Sequence, residues 1–181
     1  MHHIPPDELL RLNALRELSC GGGEHIAALD HVARVAIQHF KVPIAVVSLL
    51  DGRRQYFVGR QGTTLDGSPI GDSFCKHTIQ SDDVFVVEDA AVDPRFAHSA
   101  LVVGEPRIRF YAGAPLITED GVRIGAACLI DHKPRTLNVG QKIVLKQLAK
   151  IAMAELKDRG DRLASESKDA TAKVRATALW P

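Results

Sequence analysis

The 181 residues are the length of one domain with short extensions. Apolar residues at 45% and charged residues at 25% supply enough material for a core and exclude disorder throughout. No apolar run reaches the ~18 residues of a bilayer span, so no membrane is expected, and a net charge of +1 gives no bulk electrostatic reason to expect a nucleic-acid partner. The opening Met1-His2-His3-Ile4-Pro5-Pro6 lacks the basic and apolar regions of a signal peptide. Cys20, Cys75 and Cys128 are odd in number and widely spaced, which is neither a disulfide framework nor a zinc motif. A reduced, cytoplasmic setting is expected.

In chain order, Asp7 to Leu18 reads as a helix, capped by Asp7, with leucines at 9, 12, 15 and 18. Ser19-Cys20-Gly21-Gly22-Gly23 breaks it. Glu24 to Phe40 carries a broad apolar stripe and predicts a second helix. Ile44 to Leu50 is short, apolar and β-branched, the pattern of a strand buried on both faces. Asp51-Gly52 turns the chain into a second strand over Arg53 to Gly59. Gly62 to Gly71 reads as loop, Ser73 to Gln80 as a short helix capped by Asp72 or Ser73, and Val84 to Glu88 as a strand. Ala90 to Pro106, interrupted by Asp93-Pro94, reads as a structured loop with at most short helical turns.

Two further strands, Phe110 to Thr118 and Arg123 to Ile130, form a hairpin around Glu119-Asp120-Gly121. Asn138 and Gln141 have capping-box spacing and open a long helix with Leu145, Leu148, Ala152 and Leu156 on one face. Past Gly160 small and charged residues predict a fraying tail. Successive hairpins with helices at both chain ends make an α+β fold. The expected organisation is an extension at 1–6, a domain at 7–158 and a polar tail at 159–181.

The glycines at 21–23 lack the preceding strand and the following Lys-Ser/Thr of a phosphate loop. Cys75 and His77 flank Lys76 on the short helix, but residues two apart diverge around a helix, so neither a metal site nor a catalytic pair is expected. Cys128, among small and apolar residues, reads as a core thiol. Asp89, Asp93, Arg95, His98, Arg107 and Arg109 concentrate beside Phe96, Phe110 and Tyr111. Two readings follow: a small-ligand pocket walled by aromatics, or an ion-pair and turn network that holds the connecting segment in place. The leucines of the terminal helices also admit two readings, core packing or a bundle shared with a second chain.

Pro43 to Asp51 followed by Arg54-Gln55-Tyr56-Phe57 resembles the opening hairpin of bacterial GAF domains. Ser73-Phe74-Cys75-Lys76-His77, Val87-Glu88-Asp89-Ala90 and Asp93-Pro94-Arg95-Phe96 are similar to that family's middle section. Ile108 to Leu116, Gly125, Cys128-Leu129-Ile130-Asp131 and Pro134-Arg135 are similar to its closing strands. The resemblance implies a central antiparallel sheet of about six strands flanked by helices. It implies a non-enzymatic sensory or regulatory role in signal transduction, upstream of kinases, cyclases or phosphodiesterases; a homodimer partner, a small molecule and an output kinase or cyclase on another chain are the partners to look for. It also implies a pocket between the sheet and the segment from about Phe74 to Phe110.

The expected ligand-binding set is therefore Phe74, Cys75, His77, Asp89, Asp93, Phe96, Arg107, Arg109 and Phe110, for an unidentified small molecule and with no metal or other cofactor. The expected homodimer interface is Leu9, Leu12, Leu15, Leu145, Leu148 and Leu156. The cyclic-nucleotide signature of the family, Asn-Lys-Xaa-Phe-Asp-Glu, is absent from the sequence, and Cys75 does not stand in the surroundings of a bilin-attachment cysteine. The alternatives are a thiol-dependent small-molecule reductase using Cys75 and a bilin-binding photoreceptor domain.

Overall fold

The central strands are apolar on both faces, and the chain provides a different cover for each. The computed structural model describes residues 6–178 apart from 19, 21 and 22, so most of the expected 1–6 extension and part of the Ser19–Gly23 break lie outside the described residues. The strands are β1 (Ile44–Leu50), β2 (Arg54–Gln61), β3 (Gly67–Pro69), β4 (Phe85–Val87), β5 (Phe110–Ile117) and β6 (Arg123–Asp131). They form a six-stranded sheet in the order β3-β2-β1-β6-β5-β4, antiparallel at every pairing. The α+β architecture read from the sequence is the one observed.

The helices are α1 (Pro6–Glu17), α2 (Ala27–Phe40), α3 (Cys75–Thr78), α4 (Ala100–Val103) and α5 (Val139–Ala178). One sheet face carries Ala45, Val47 and Leu49 from β1, Phe110, Ala112, Ala114 and Leu116 from β5, and Ile124 and Leu129 from β6. It packs beneath α2 and α5 with Leu29, Val32, Leu145, Leu148, Ala152 and Leu156. The other face carries Val46 and Leu50, Phe57, Tyr111, Cys128 and Ile130. Its cover is α3, α4 and the loops between them, with Phe74, Ala90, Phe96, Val102 and Ile108. Burial of β1 over its whole length follows from this two-sided cover.

Local signals place several elements as expected. At the start of α5, Gln141 N–H donates to Asn138 Oδ1 at 2.9 Å and Asn138 N–H donates to Gln141 Oε1 at 3.0 Å, a reciprocal cap. Cys75 N–H donates to Ser73 Oγ at 3.1 Å at the start of α3, so Ser73 and not Asp72 supplies that contact. Four expectations change. Glu24 to Ile26 is outside α2, because Ile26 N–H donates to Val58 O at 2.7 Å and holds this stretch extended along β2. The Gly62–Gly71 loop contains β3, pairing Gly67 with Tyr56 and Pro69 with Arg54, and a 3-10 turn at Ile70–Asp72. Pro69 is tolerated because β3 is an edge strand.

The third change is in α5, which does not fray at Gly160 but continues to Ala178. Gly160 is buried against the chain just past the end of α1, where a Cβ would stand 3.3 Å from the Leu18 backbone. The glycine marks a close approach of α5 to that stretch rather than a stop. The fourth concerns the proposed interface leucines. Leu15, Leu145, Leu148 and Leu156 are buried in the chain's own core, Leu12 is half-buried, and of the six only Leu9 is exposed. The chain's own sheet covers Leu15, Leu145, Leu148 and Leu156, so those four are not free to meet a second chain. Arg11 anchors α1 by donating to the carbonyl oxygens of Leu50 and Asp51 and pairing with Glu8.

Candidate functional site

Strand parity aims the site. Ile44, Val46 and Ser48 share a face of β1, and Ala126, Cys128 and Ile130 share the same face of β6. In the β5–β6 register Tyr111 stands opposite Ile130, which brings its ring to that face. Over these strands the loop at 63–68, Phe74 with α3, and the segment ending at Ile108 leave a narrow cavity of about 50 Å³. Its walls are mostly apolar: Ile44, Val46, Phe57, Leu65, Phe74, Leu101, Pro106, Ile108 and Ile130. Gln55, Thr63 and Ser68 add polar atoms at one side, and Cys75, Tyr111 and Cys128 line it as well.

Gln55 is buried and held on both ends of its amide, donating to Ser68 Oγ at 2.8 Å and accepting from Ser73 Oγ at 2.5 Å. The Cys75 and Cys128 Sγ atoms lie 3.4 Å apart. Ser48 Oγ donates to Cys75 Sγ at 3.2 Å, and the Tyr111 hydroxyl is 3.4 Å from Cys75 Sγ and 3.3 Å from Cys128 Sγ. Thr78 Oγ1 meets the Tyr111 hydroxyl at 2.8 Å. Gly113 permits this cluster: a Cβ there would come within 2.4 Å of the Tyr111 hydroxyl and 2.6 Å of Thr78 Oγ1.

The surroundings set the two thiols apart. The hydrogen bond from Cys128, reinforced by Ser48 and Tyr111, outweighs burial and brings Cys75 down to about 7. Burial, followed by the neighbouring Cys75, pushes Cys128 well up. Burial beside the same two sulfurs raises Tyr111 as well. Cys75 is thus the more acidic of the two thiols, which are packed in the same place.

Of the residues singled out in the sequence, Phe74 and Cys75 line the cavity. Phe96 is one layer out, its ring stacked on Phe74 at 4.1 Å. His77 stacks on Phe85 at 5.7 Å and meets Phe96 edge-on at 5.1 Å; burial, then Lys76 and Arg95, lower its pKa. Asp93 pairs with Arg95, whose guanidinium lies 5.0 Å from the Phe85 ring centre. Asp89 accepts from Ala91 N–H at 3.0 Å. Arg107 is exposed in a left-handed conformation (φ 57°) beside Glu105, and Arg109 donates to the carbonyl oxygens of Val102 and Ile108.

The polar stretch is therefore an ion-pair and turn network around the connecting segment, and its arginines do not converge on the cavity. Phe110 lies on the opposite sheet face, in the core beneath α2 and α5. The neighbour that reaches the cavity is Tyr111. Ser48, Gln55, Thr78 and Ile108 are absent from the expected ligand-binding set; Tyr111, named in the sequence among the aromatics of the candidate pocket, is outside that set too, and alternation along β5 is the signal that separates it from Phe110. A wider groove of about 810 Å³ runs between α1, α5 and the β5–β6 turn, lined by Leu18, Ile117 and Met153 with lysines and acids interspersed.

The family model described as GAF domain matches residues 24–156, well over half of the chain. The chain belongs to the GAF domain family. This GAF domain is 42% identical over 128 residues to a cyclic di-GMP phosphodiesterase of Pseudomonas aeruginosa, a match covering 70% of this chain and 22% of that protein. The chain thus spans about a fifth of that relative's length. It superposes on the GAF domain of a phosphoenolpyruvate-protein phosphotransferase from Coxiella burnetii with a TM-score of 0.63 at 15% identity, over 87% of this chain and 98% of that one. Against free methionine-R-sulfoxide reductase from Neisseria meningitidis the TM-score is 0.57 at 20% identity, over 87% of each chain. At such identities the likeness to both structures is one of fold. Among the described residues no helix is long and apolar enough to cross a membrane.

Proposed function

We propose that this GAF domain is a non-enzymatic sensory module of cytoplasmic signal transduction. Its ligand is a small, largely apolar molecule carrying one or two polar atoms. The observation that carries this reading is the cavity on the loop-covered face, with apolar walls and the polar atoms of Gln55, Thr63 and Ser68 at one side. A route for the signal runs through β6, where Cys128 borders the cavity and the next residue, Leu129, packs in the core under α5. A ligand would act by favouring one packing of β6 and α5 over another through its differential affinity. The likeness to a cyclic di-GMP phosphodiesterase supports an output in cyclic-dinucleotide signalling.

The reading includes a homodimer through the terminal helices, moved from the buried leucines to residues the core leaves exposed: Leu9 and Leu10 on α1, Ile143 and Ile151 on α5. Beyond Gly160, residues 161–170 of α5 are exposed apart from half-buried Leu163. Lone helical extensions of that length are marginal in water, which favours a paired partner helix from a second copy. Native mass spectrometry of gently purified protein tests both parts. A retained small molecule and a dimer mass are expected. Protein that binds none of an apolar metabolite panel removes the ligand reading, and monomer across micromolar concentrations removes the dimer.

A second reading, a thiol-dependent reductase using Cys75, is favoured by the adjacency of Cys75 and Cys128 at the cavity. It requires multiple turnovers of a small oxidised substrate with a thiol reductant, where the sensory reading requires none.

A further inference from the structure

Cys75 and Cys128 are nucleophilic groups that the sensing role leaves unused. They lie 53 residues apart in the chain, on α3 and β6, yet their Sγ atoms are 3.4 Å apart. A disulfide has its sulfurs at about 2.05 Å, so closure needs about 1.3 Å of approach. Cys128 is on a strand paired on both sides, with β1 and β5, whereas Cys75 begins a four-residue helix between loops. The approach therefore falls to Cys75. Both cysteines line the cavity, and its apolar walls disfavour charged reagents and admit neutral ones.

We infer that Cys75 and Cys128 are a dithiol–disulfide modification site, oxidised by a small neutral peroxide that enters through the ligand cavity. In the first step the Cys75 sulfur attacks one peroxide oxygen. The O–O bond breaks, Cys75 becomes a sulfenic acid, and the other oxygen leaves as an alcohol, or as water when the oxidant is hydrogen peroxide. In the second step the Cys128 sulfur attacks the Cys75 sulfur. The S–O bond breaks, the disulfide forms and the sulfenic hydroxyl leaves as water with the Cys128 proton, so two thiols lose two electrons and two protons to one peroxide.

The roles follow from the surroundings. Ser48 and Tyr111 supply hydrogen bonds that favour a thiolate at Cys75, while burial keeps Cys128 a thiol until the sulfenic acid is beside it. Ser48 and Tyr111 would lose a thiolate acceptor when the bond forms, and α3 would be tied to the strand that carries Leu129. Cys20 belongs to the opposite core, where its Sγ contacts Leu18 O, and serves as an internal control. The inference rests on the sensory reading for its cavity but needs no bound ligand.

The test treats reduced full-length protein with a small excess of hydrogen peroxide, alkylates the remaining thiols after denaturation, and maps them by peptide mass spectrometry. The expected result is loss of two alkylation sites, a linked peptide pair containing Cys75 and Cys128, an alkylated Cys20, and reversal by dithiothreitol. In Cys128→Ala, dimedone is expected to label Cys75 as the trapped sulfenic acid. Unchanged alkylation of Cys75 and Cys128, a bond to Cys20, or Cys20 oxidised first would overturn the inference, and the wild-type map decides it even if the variant fails to fold. Thiol mapping reads no ligand. Protein that retains a ligand without forming the bond fails this inference alone, and protein that forms the bond without a ligand fails the ligand reading alone.

Discussion

The two faces of the sheet are built from the same strands and do different work. Under α2 and α5 the face is packed with Ala, Val, Leu, Ile and Phe side chains and keeps only a small void beside Val32, Ala45 and Leu145. Under α3 and the connecting loops it keeps a cavity and gathers Ser48, Gln55, Cys75, Thr78, Tyr111 and Cys128. Long helices present a continuous apolar stripe and can close a face completely. Short turns separated by loops cannot, and they bring hydroxyl, thiol and amide groups whose hydrogen bonds must be met inside. A packed face supplies stability and an imperfectly filled one supplies a place for chemistry.

The sharpest way to break this contrast uses adjacent residues of β6. Leu129→Ala empties the helix-covered face and is expected to cost about 3–5 kcal/mol. Ile130→Ala removes a similar volume beside existing free space and is expected to cost about 2 kcal/mol. Urea midpoints measure both, and equal costs would mean that the faces are packed alike. Gly113→Ala comes next, at about 1–3 kcal/mol, because its methyl group enters the Thr78–Tyr111 contact. Its signature beyond lost stability is a changed alkylation rate at Cys75, since Tyr111 donates to that sulfur.

Asp51→Ala is expected to cost about 1–2 kcal/mol. It frees the Arg53 and Arg54 amides, bonded at 2.7 and 2.6 Å, and the Tyr56 hydroxyl at 2.9 Å. Burial raises the Asp51 pKa, but these hydrogen bonds outweigh it and hold the carboxyl below its ordinary value. The stability it contributes is therefore present above its unfolded pKa of about 3.9 and is lost as pH falls through the lower folded value. Wild type should lose this increment on acidification below about pH 4, and Asp51→Ala should lack it in a pH series of melting temperatures. The smallest effect is expected at the rim of the loop-covered face. Arg95→Ala breaks an exposed pair with Asp93 and should cost under ~1 kcal/mol. A larger loss in thermal unfolding would mean that the rim network supports the cavity beneath it.

The legible parts of the fold were those with local causes. The β-branched run at Ile44–Leu50, the Asp51-Gly52 turn, the hairpin at 119–121 and the Asn138–Gln141 cap are set by neighbours in the chain, and they stand where the sequence placed them. The family's blocks also located the pocket side, from Phe74 and Cys75. The particular residues were less legible. Alternation says that Phe110 and Tyr111 face opposite ways, but which one meets the cavity depends on the register of β5 against β6 and on what covers each face.

The leucine stripes were visible as stripes, while their partner, the chain's own sheet, was not. Amphipathicity specifies a face to be buried and leaves open what buries it. Gly160 shows the same division: its helix propensity is poor, yet packing against the chain just past α1 carries α5 through it. Composition, periodicity and turn chemistry were enough for the class of fold and most element positions, because those follow from interactions over a few residues. The pairing of Cys75 with Cys128, the turn of Tyr111 toward them and the closing of the helix leucines onto the sheet belong to contacts between distant residues, and such contacts exist only once the sheet is assembled.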